Sequence, residues 1–246
     1  MKSILSVSLW SVSLWSALLW TIGLLFFLVF FCIIALGMIL FSPKTIYPAV
    51  RILARMQLLI MGVNLKTLGL ENVDQKHSYI VMGNHESLFD IFAVPAALPM
   101  HGVGVEAAYH FSLPLWGYLT RKWGNIPIQR RNKTEAVKAL KKAKQVIKAG
   151  TSIVILPEGH RTLTGKIESF KKGAFYLAKE AKADIIPFAL IGLYEFNNKN
   201  SWHLHPQTVS VVFGKPIPYA LFKDLTIDTL KEQVRKKIID LKTLYR

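Results

Sequence analysis

Between Ser3 and Ser42 the chain holds no charged residue, and Leu, Ile, Val, Phe and Trp dominate the run. A helix needs about 20 such residues to cross a bilayer, so the run is long enough with much left over. A removed leader would end in small residues; Phe41-Ser42-Pro43 does not fit, and the segment reads as retained. A near-repeat, Ser6 to Trp10 and Ser11 to Trp15, spaces Trp10, Trp15 and Trp20 by five. Tryptophans and serines suit the membrane interface, whereas Leu24 to Leu40 suits hydrocarbon. Ile46 to Val63 then carries apolar residues at helical spacing, with Arg51 and Arg55 four apart and Pro48 tolerable only in a first turn. This predicts an amphipathic helix, packed on the membrane or against the first segment. Two arrangements stay open: a span plus a surface helix, or two helices held in one leaflet.

From about Leu65 the period changes. Short apolar runs at Lys66–Gly69, Tyr79–Met82, Gly102–Glu106, Ile153–Leu156, Ile185–Ile191 and Thr208–Phe213 predict strands. Several are continuously apolar, as expected where both faces of a sheet are covered. Helical patterns occupy Lys133–Ala149, Gly173–Ala181 and Thr226–Tyr245; the first has a cap signal at Asn132, Glu135 three residues on and Gly150 past its end. The fold class is therefore α/β, a mixed and largely buried sheet flanked by helices. The expected organisation is membrane-anchoring helices over 1–63 and an α/β domain over 64–246.

Charge narrows the partners. The 246 residues carry 31 Lys and Arg against 15 Asp and Glu, a net +16. With an apolar segment on the same chain, an anionic membrane surface explains this excess better than nucleic acid does. Zinc-finger, RNA-binding aromatic and DNA-reading patterns are absent from the sequence. Lys44, Arg51, Arg55 and Lys66 follow the apolar run, which puts the domain on the cytoplasmic side of a cell inner membrane. Cys32 is the sole cysteine, which excludes an intramolecular disulfide and a cysteine metal site. His203 and His205 share a strand face, but no third ligand accompanies them, so no metal is expected.

Four blocks hold candidate chemistry. In Gly83 to Asp90, His85 stands five residues before Asp90 at the end of an apolar run. A carboxylate there can hold one ring nitrogen and leave the other to take a proton from a hydroxyl. Ser87 and Asp90 also form Ser-x-x-Asp, a helix-start signal, and the two readings are compatible. In Gly124 to Arg131, Arg130 and Arg131 precede a helix N-terminus, a setting that suits phosphate or a solvated basic loop. In Leu156 to Arg161, polar groups follow a buried strand, at the edge where open α/β sheets bind ligands. There Arg161 can hold a phosphate, Glu158 can meet a substrate hydroxyl or simply pair with Arg161, and Gly159 permits close approach. Lys172, opening the next helix, can add charge. Ile185 to Ala189 reads mainly as a buried strand, in which Pro187 suggests an edge or irregular position beside an apolar pocket. The lysines from Lys138 to Lys148 read as a solvated or lipid-facing helix side.

The order of these blocks, about 40, 30 and 30 residues apart, resembles the lysophospholipid acyltransferases, specifically the 1-acylglycerol-3-phosphate acyltransferases. The likeness covers roughly Leu65 to Tyr219. The family's Asn-His-x-Ser-x-x-Asp appears as Asn84 to Asp90, its Gly-x-Ile-x-Ile-x-Arg as Gly124 to Arg130, and its Phe-Pro-Glu-Gly-Thr-Arg as Leu156 to Arg161. Its proline-centred fourth motif appears as Ile185 to Phe188.

The resemblance implies a glycerol-3-phosphate acyltransferase-like fold with His85 as general base and Asp90 orienting it. Asn84, Ser87, Arg130, Glu158, Gly159, Arg161 and Lys172 would bind substrate, and Ile186 and Pro187 would lie by the acyl chain. No cofactor is implied; acyl-CoA or acyl-carrier protein would donate the acyl group to a lysophospholipid acceptor, giving phosphatidic acid from lysophosphatidic acid. The departures are Leu156 for Phe, His160 for Thr, Gln129 where Asp is frequent, and Ala107-Ala108-Tyr109 where a lysine is common. Other acceptors, such as a lyso-ornithine lipid, and a non-catalytic anionic-lipid-binding protein are the competing readings.

Overall fold

A computed structural model describes residues 2–129 and 133–245. In chain order the elements are α1 (Lys2–Leu40), α2 (Pro43–Ile60), β1 (Val63–Leu68), β2 (Ile80–Gly83), α3 (Asp90–Ala97), β3 (Gly102–Ala107), α4 (Trp116–Trp123), β4 (Ile126–Ile128), α5 (Lys133–Lys148), β5 (Ser152–Ile155), α6 (Gly173–Ala181), β6 (Ile185–Ile191), α7 (Leu193–Phe196), β7 (Gln207–Phe213), α8 (Tyr219–Phe222) and α9 (Ile227–Leu244). Among the described residues the strands form one sheet in the order β1-β7-β6-β2-β5-β3-β4. All neighbours are parallel except β6 and β7.

The alternation of β6 shows why both sheet faces are covered. Ile186, Phe188 and Leu190 join one apolar cluster with α1, α2 and α3, while Ile185, Ala189 and Ile191 join another with α5, α6 and α9. The result is an α/β/α sandwich, the mixed and buried sheet expected from the sequence. Because β2, β5, β3 and β4 run parallel, their carboxyl ends share one edge, and the loops leaving it carry the polar blocks.

Pro187 is not on an edge strand. It sits in β6 between two neighbours, opposite Met82 on the β2 side. On its other side the β7 ladder starts only at Phe188, beyond an isolated bridge from Ile185 to Ile217. The proline occupies the gap between those pairings, where no ladder bond needs its missing N–H.

Helix α2 starts three residues before the expected Ile46, because Ser42 caps it: the hydroxyl accepts the Thr45 N–H at 3.2 Å, and Pro43 fills the first turn. Helix α1 spans 39 residues, roughly 58 Å at 1.5 Å per residue, against a hydrocarbon core of about 30 Å. Its Ser11–Leu40 portion is long and apolar enough to cross a membrane. One stripe, Ser16, Gly23, Phe30, Ile34 and Met38, is nevertheless buried against the protein. Helix α2 folds back along it, donating from Gln57 Nε2 to the Gly23 carbonyl at 3.0 Å. Farther toward the N-terminus, Ser16 Oγ accepts the Leu204 N–H at 2.9 Å, Ser13 Oγ meets His203 Nε2 at 3.0 Å, and Trp20 Nε1 donates to the Trp202 carbonyl at 2.7 Å. The serines, read from the sequence as membrane-interface residues, thus dock the helix on the 202–204 loop, and His203 bonds a hydroxyl. The other side of α1 exposes Leu14, Leu18, Ile22, Leu25, Leu28 and Leu36.

Candidate active site

Strand β2 ends at Gly83, where a Cβ would stand 2.3–2.5 Å from the Phe188 ring, so only glycine lets the chain leave the sheet here. Asn84 then clips the exit to β6: its Oδ1 accepts the Leu190 N–H at 2.7 Å and its Nδ2 donates to the Leu190 carbonyl at 2.9 Å. The next residue, His85, turns toward Asp90, with Nδ1 at 2.6 Å from Oδ2. Asp90 is only 1% exposed, and the loop feeds it further: Oδ2 accepts the Glu86 N–H at 2.8 Å and Oδ1 the Ser87 N–H at 3.0 Å. The carboxylate therefore folds its own loop and holds the ring at once. Half of the anticipated capping box is present, since Asp90 accepts from Ser87, but the Ser87 hydroxyl donates instead to the Asn197 carbonyl at 2.7 Å.

Glu158 leaves the turn after β5, the strand beside β2. It is fully buried, and its two oxygens accept backbone N–H groups, from His85 at 2.8 Å and Glu168 at 2.9 Å. Burial pushes its carboxyl above the ordinary carboxylate range, against those two hydrogen bonds and the nearby imidazole. The Thr162 N–H donates to the His85 carbonyl at 2.9 Å, so the loop holding Arg161 is laced to the loop holding His85. Arg161 itself is half-buried, and its guanidinium has no partner among the described residues. Gly159 has φ +72°, the left-handed turn conformation that suits glycine.

Glu86 points the other way, into the protein. Its carboxylate accepts from Lys242 Nζ, from the Tyr194 N–H at 3.1 Å and from Asn84 Nδ2 at 3.2 Å. Burial raises its pKa to about 7 despite the lowering effect of the Lys242 ammonium, and Asp90 adds to the rise.

The substrate-binding residues expected from the sequence thus fall into different places. Asn84, Ser87 and Glu158 gather around His85, but their polar side-chain atoms are engaged by the protein's own loops. The physical reason is that a sharp loop at a sheet edge buries backbone groups that need partners. Lys172 is exposed and paired with Asp228 Oδ2 at 2.8 Å, facing α9. Ile186 is buried in the core between the sheet and α1–α3, and Pro187 lines a shallow pocket with Gly214, Lys215, Leu241 and Leu244. Arg130, like Asn132, the cap expected from the sequence, lies outside the described residues. Thr162, Tyr194, Asn197, Arg235 and Lys242 all brace these loops, and no short motif in the sequence marks them. No group of three or more His, Cys, Asp or Glu among the described residues is arranged for a metal ion.

A second imidazole–carboxylate pair lies at the same sheet edge. Glu106, at the end of β3, accepts from His110 Nδ1 at 3.0 Å, Thr120 Oγ1 at 2.7 Å, Trp116 Nε1 at 3.3 Å and Asn125 Nδ2. It joins β3 to the unanticipated helix α4 and to the start of β4.

An α/β sandwich with a buried carboxylate on an edge-loop histidine defines the class. Residues 64–191 match the family model described as Acyltransferase, just over half of the chain, and the chain belongs to that family. It is 30% identical over 187 residues to a 1-acyl-sn-glycerol-3-phosphate acyltransferase of Cocos nucifera, covering 76% of this chain and 60% of that one. It is 31% identical over 177 residues to the enzyme of the same name from Limnanthes douglasii, covering 72% and 61%. The chain spans about 60% of the length of these curated relatives. The fold is also that of the 1-acyl-sn-glycerophosphate acyltransferase of Thermotoga maritima, with a TM-score of 0.79 at 20% identity over 99% of this chain and 98% of that one.

Proposed function

We propose that this chain is a membrane-bound acyltransferase. It would move a fatty acyl group from acyl-CoA or acyl-carrier protein to the free hydroxyl of 1-acylglycerol-3-phosphate, giving phosphatidic acid. The observation that carries this reading is the 2.6 Å bond between His85 Nδ1 and a buried Asp90 whose oxygens are also held by loop amides. With Nδ1 committed, Nε2 is the nitrogen offered to the acceptor hydroxyl. It takes that proton as the oxygen attacks the thioester carbonyl, and Asp90 stabilises the imidazolium. The proton then passes to the departing thiolate. Such acid–base assistance is worth about 10²–10⁴ in rate. Arg161, with Arg130, supplies the phosphate contacts; Glu158, Asn84 and Ser87 position the loops.

Residues 1–63 serve as the anchor and 64–246 as the catalytic part. The exposed apolar side of α1, together with Ile52, Met56 and Leu59 of α2, supports burial of this hairpin in lipid, with the basic domain on the cytoplasmic side. One observation favours a second acceptor head group. Ala107-Ala108-Tyr109 offers no cation after β3, and the neighbouring carboxylate of Glu106 is tied into the α4 brace. The test is turnover of the purified chain in vesicles, with a panel of lysolipids against acyl-CoA and acyl-carrier protein. His85→Ala should lose acyl transfer while staying membrane-bound; an active variant overturns the assignment.

A further inference from the structure

We infer that Arg235 and Lys242 of the C-terminal helix are positioning residues for acyl transfer, clamping the Arg161 loop and the Glu86 carboxylate next to His85 into one geometry. This rests on the reading of His85 as the base. The two cations are seven residues apart, two helical turns, and so share a side of α9. Arg235 donates from Nε to the Glu168 carbonyl and from Nη2 to the Ile167 carbonyl, both at 2.9 Å. Lys242 Nζ donates to the Gly165 carbonyl at 2.9 Å and to Glu86 Oε1. One helix thus fixes three carbonyls of the segment that follows Arg161. The same segment gives its Glu168 N–H to Glu158, the residue that holds the His85 amide. The clamp therefore reaches His85 by two routes: through Glu158, and through Glu86, the next residue in the chain.

Docking of the helix does not account for these cations. Leu230, Val234 and Ile238, on the neighbouring stripe, are fully buried and seat α9 on the sheet. Lys242 is only 12% exposed and Glu86 is not exposed at all. A buried ion pair of this kind is often no better for stability than apolar residues of similar size, so its effect lies in fixing an arrangement. Displacing a reacting group by 1 Å can cost about 10²-fold in rate, which sets the scale of what the clamp protects. Both residues lie beyond residues 64–191, the span that the family model matches.

The full chain in vesicles, with lysophosphatidate and acyl-CoA, supplies the test. Arg235→Met should raise KM for the acceptor about 10-fold and lower kcat by only about 3-fold, because it loosens the Arg161 loop directly and His85 only through Glu158. Lys242→Met should raise KM and lower kcat, each about 10-fold, because it loosens both sides. Lys242→Arg should recover most of the loss. The double variant Glu86→Gln/Lys242→Met removes the uncompensated buried charge and should regain thermal stability while kcat/KM stays at least 10-fold down; it also carries the test should Lys242→Met not fold. A double variant with wild-type kcat/KM, or a Lys242→Met enzyme with wild-type KM and kcat, overturns the clamp. A fully active His85→Ala overturns the underlying base assignment instead, so the two failures are distinguishable.

Discussion

Two histidines at one sheet edge each hold a carboxylate through Nδ1, yet their surroundings differ in kind. Around Asp90 the remaining acceptor positions are filled by N–H groups of the loop that carries His85, those of Glu86 and Ser87, four and three residues away in sequence. The carboxylate is 1% exposed and serves one ring. Around Glu106 the acceptor positions are filled by side chains from α4, its flanking turn and the start of β4, and the carboxylate is 19% exposed. The first arrangement is local, so it orients an imidazole without depending on distant packing. The second is a hub that ties elements together, and its histidine is one spoke among four. A histidine–carboxylate contact by itself therefore says little; what the carboxylate's other lone pairs do distinguishes an orienting group from a brace.

The sharpest way to break this comparison is to change each carboxylate. Asp90→Asn should lower kcat by about 10³-fold, because the amide no longer stabilises an imidazolium and the ring tautomer is no longer fixed. Acyl transfer assayed on a folded, vesicle-bound variant measures it, and a loss under about 10-fold would erase the distinction. Glu106→Ala should act on stability instead. Stranding buried donors costs about 1–3 kcal/mol each, so a drop of roughly 2–3 kcal/mol in urea unfolding is expected, with kcat of the folded fraction changed less than about 5-fold. Glu158→Gln falls between the two. Its amide would turn one donor toward a backbone N–H, costing about 1–3 kcal/mol and misplacing both His85 and the Arg161 loop. Turnover and unfolding midpoint should therefore fall together.

The same contrast explains what the sequence disclosed. The His85 and Asp90 pairing was legible because both partners lie within one short loop after an apolar strand. The strands, though not their order, were legible, since continuous apolar runs such as Ile185–Ile191 signal a strand with both faces covered. Helix α4 was not, because Trp116–Trp123 interleaves aromatic, glycine and basic residues and is held by the Glu106 hub rather than by a long apolar stripe. The roles of Glu158 and Asn84 escaped for a related reason: sequence places polar residues at an edge but not the direction in which they point. Lys242 and Arg235 could not be foreseen at all, since their partners are 156 and 67 residues away. The serines of α1 gave half a signal: their composition marked them as different from the apolar run, but only the 202–204 loop shows that Ser13 and Ser16 meet protein.

The last effect is on pH dependence and concerns Glu86, the neighbour of His85 that faces inward, and it separates the local pair from the clamp behind it. Its pKa rises from 4.5 in the unfolded chain to about 7 in the folded one, chiefly through burial. The folded protein therefore binds the extra proton between those values. Stability from this group is full below about pH 4.5, declines as pH rises toward 7, and is level above that, with a slope of at most about 1.4 kcal/mol per pH unit. The facing charged groups are Asp90, which raises the value, and Lys242, which lowers it. In Glu86→Gln this contribution to the slope should vanish, while Asp90 keeps its loop bonds, because the Glu86 contact to Asp90 is made by the backbone N–H. Urea midpoints at half-unit steps from pH 4.5 to 7.5 read the difference between variant and parent. Parallel curves would show that the inward carboxylate does not titrate in this window. Converging curves toward low pH, with acyl transfer lowered less than in Asp90→Asn, would show that the clamp and the base–carboxylate pair are separate devices built on adjacent residues.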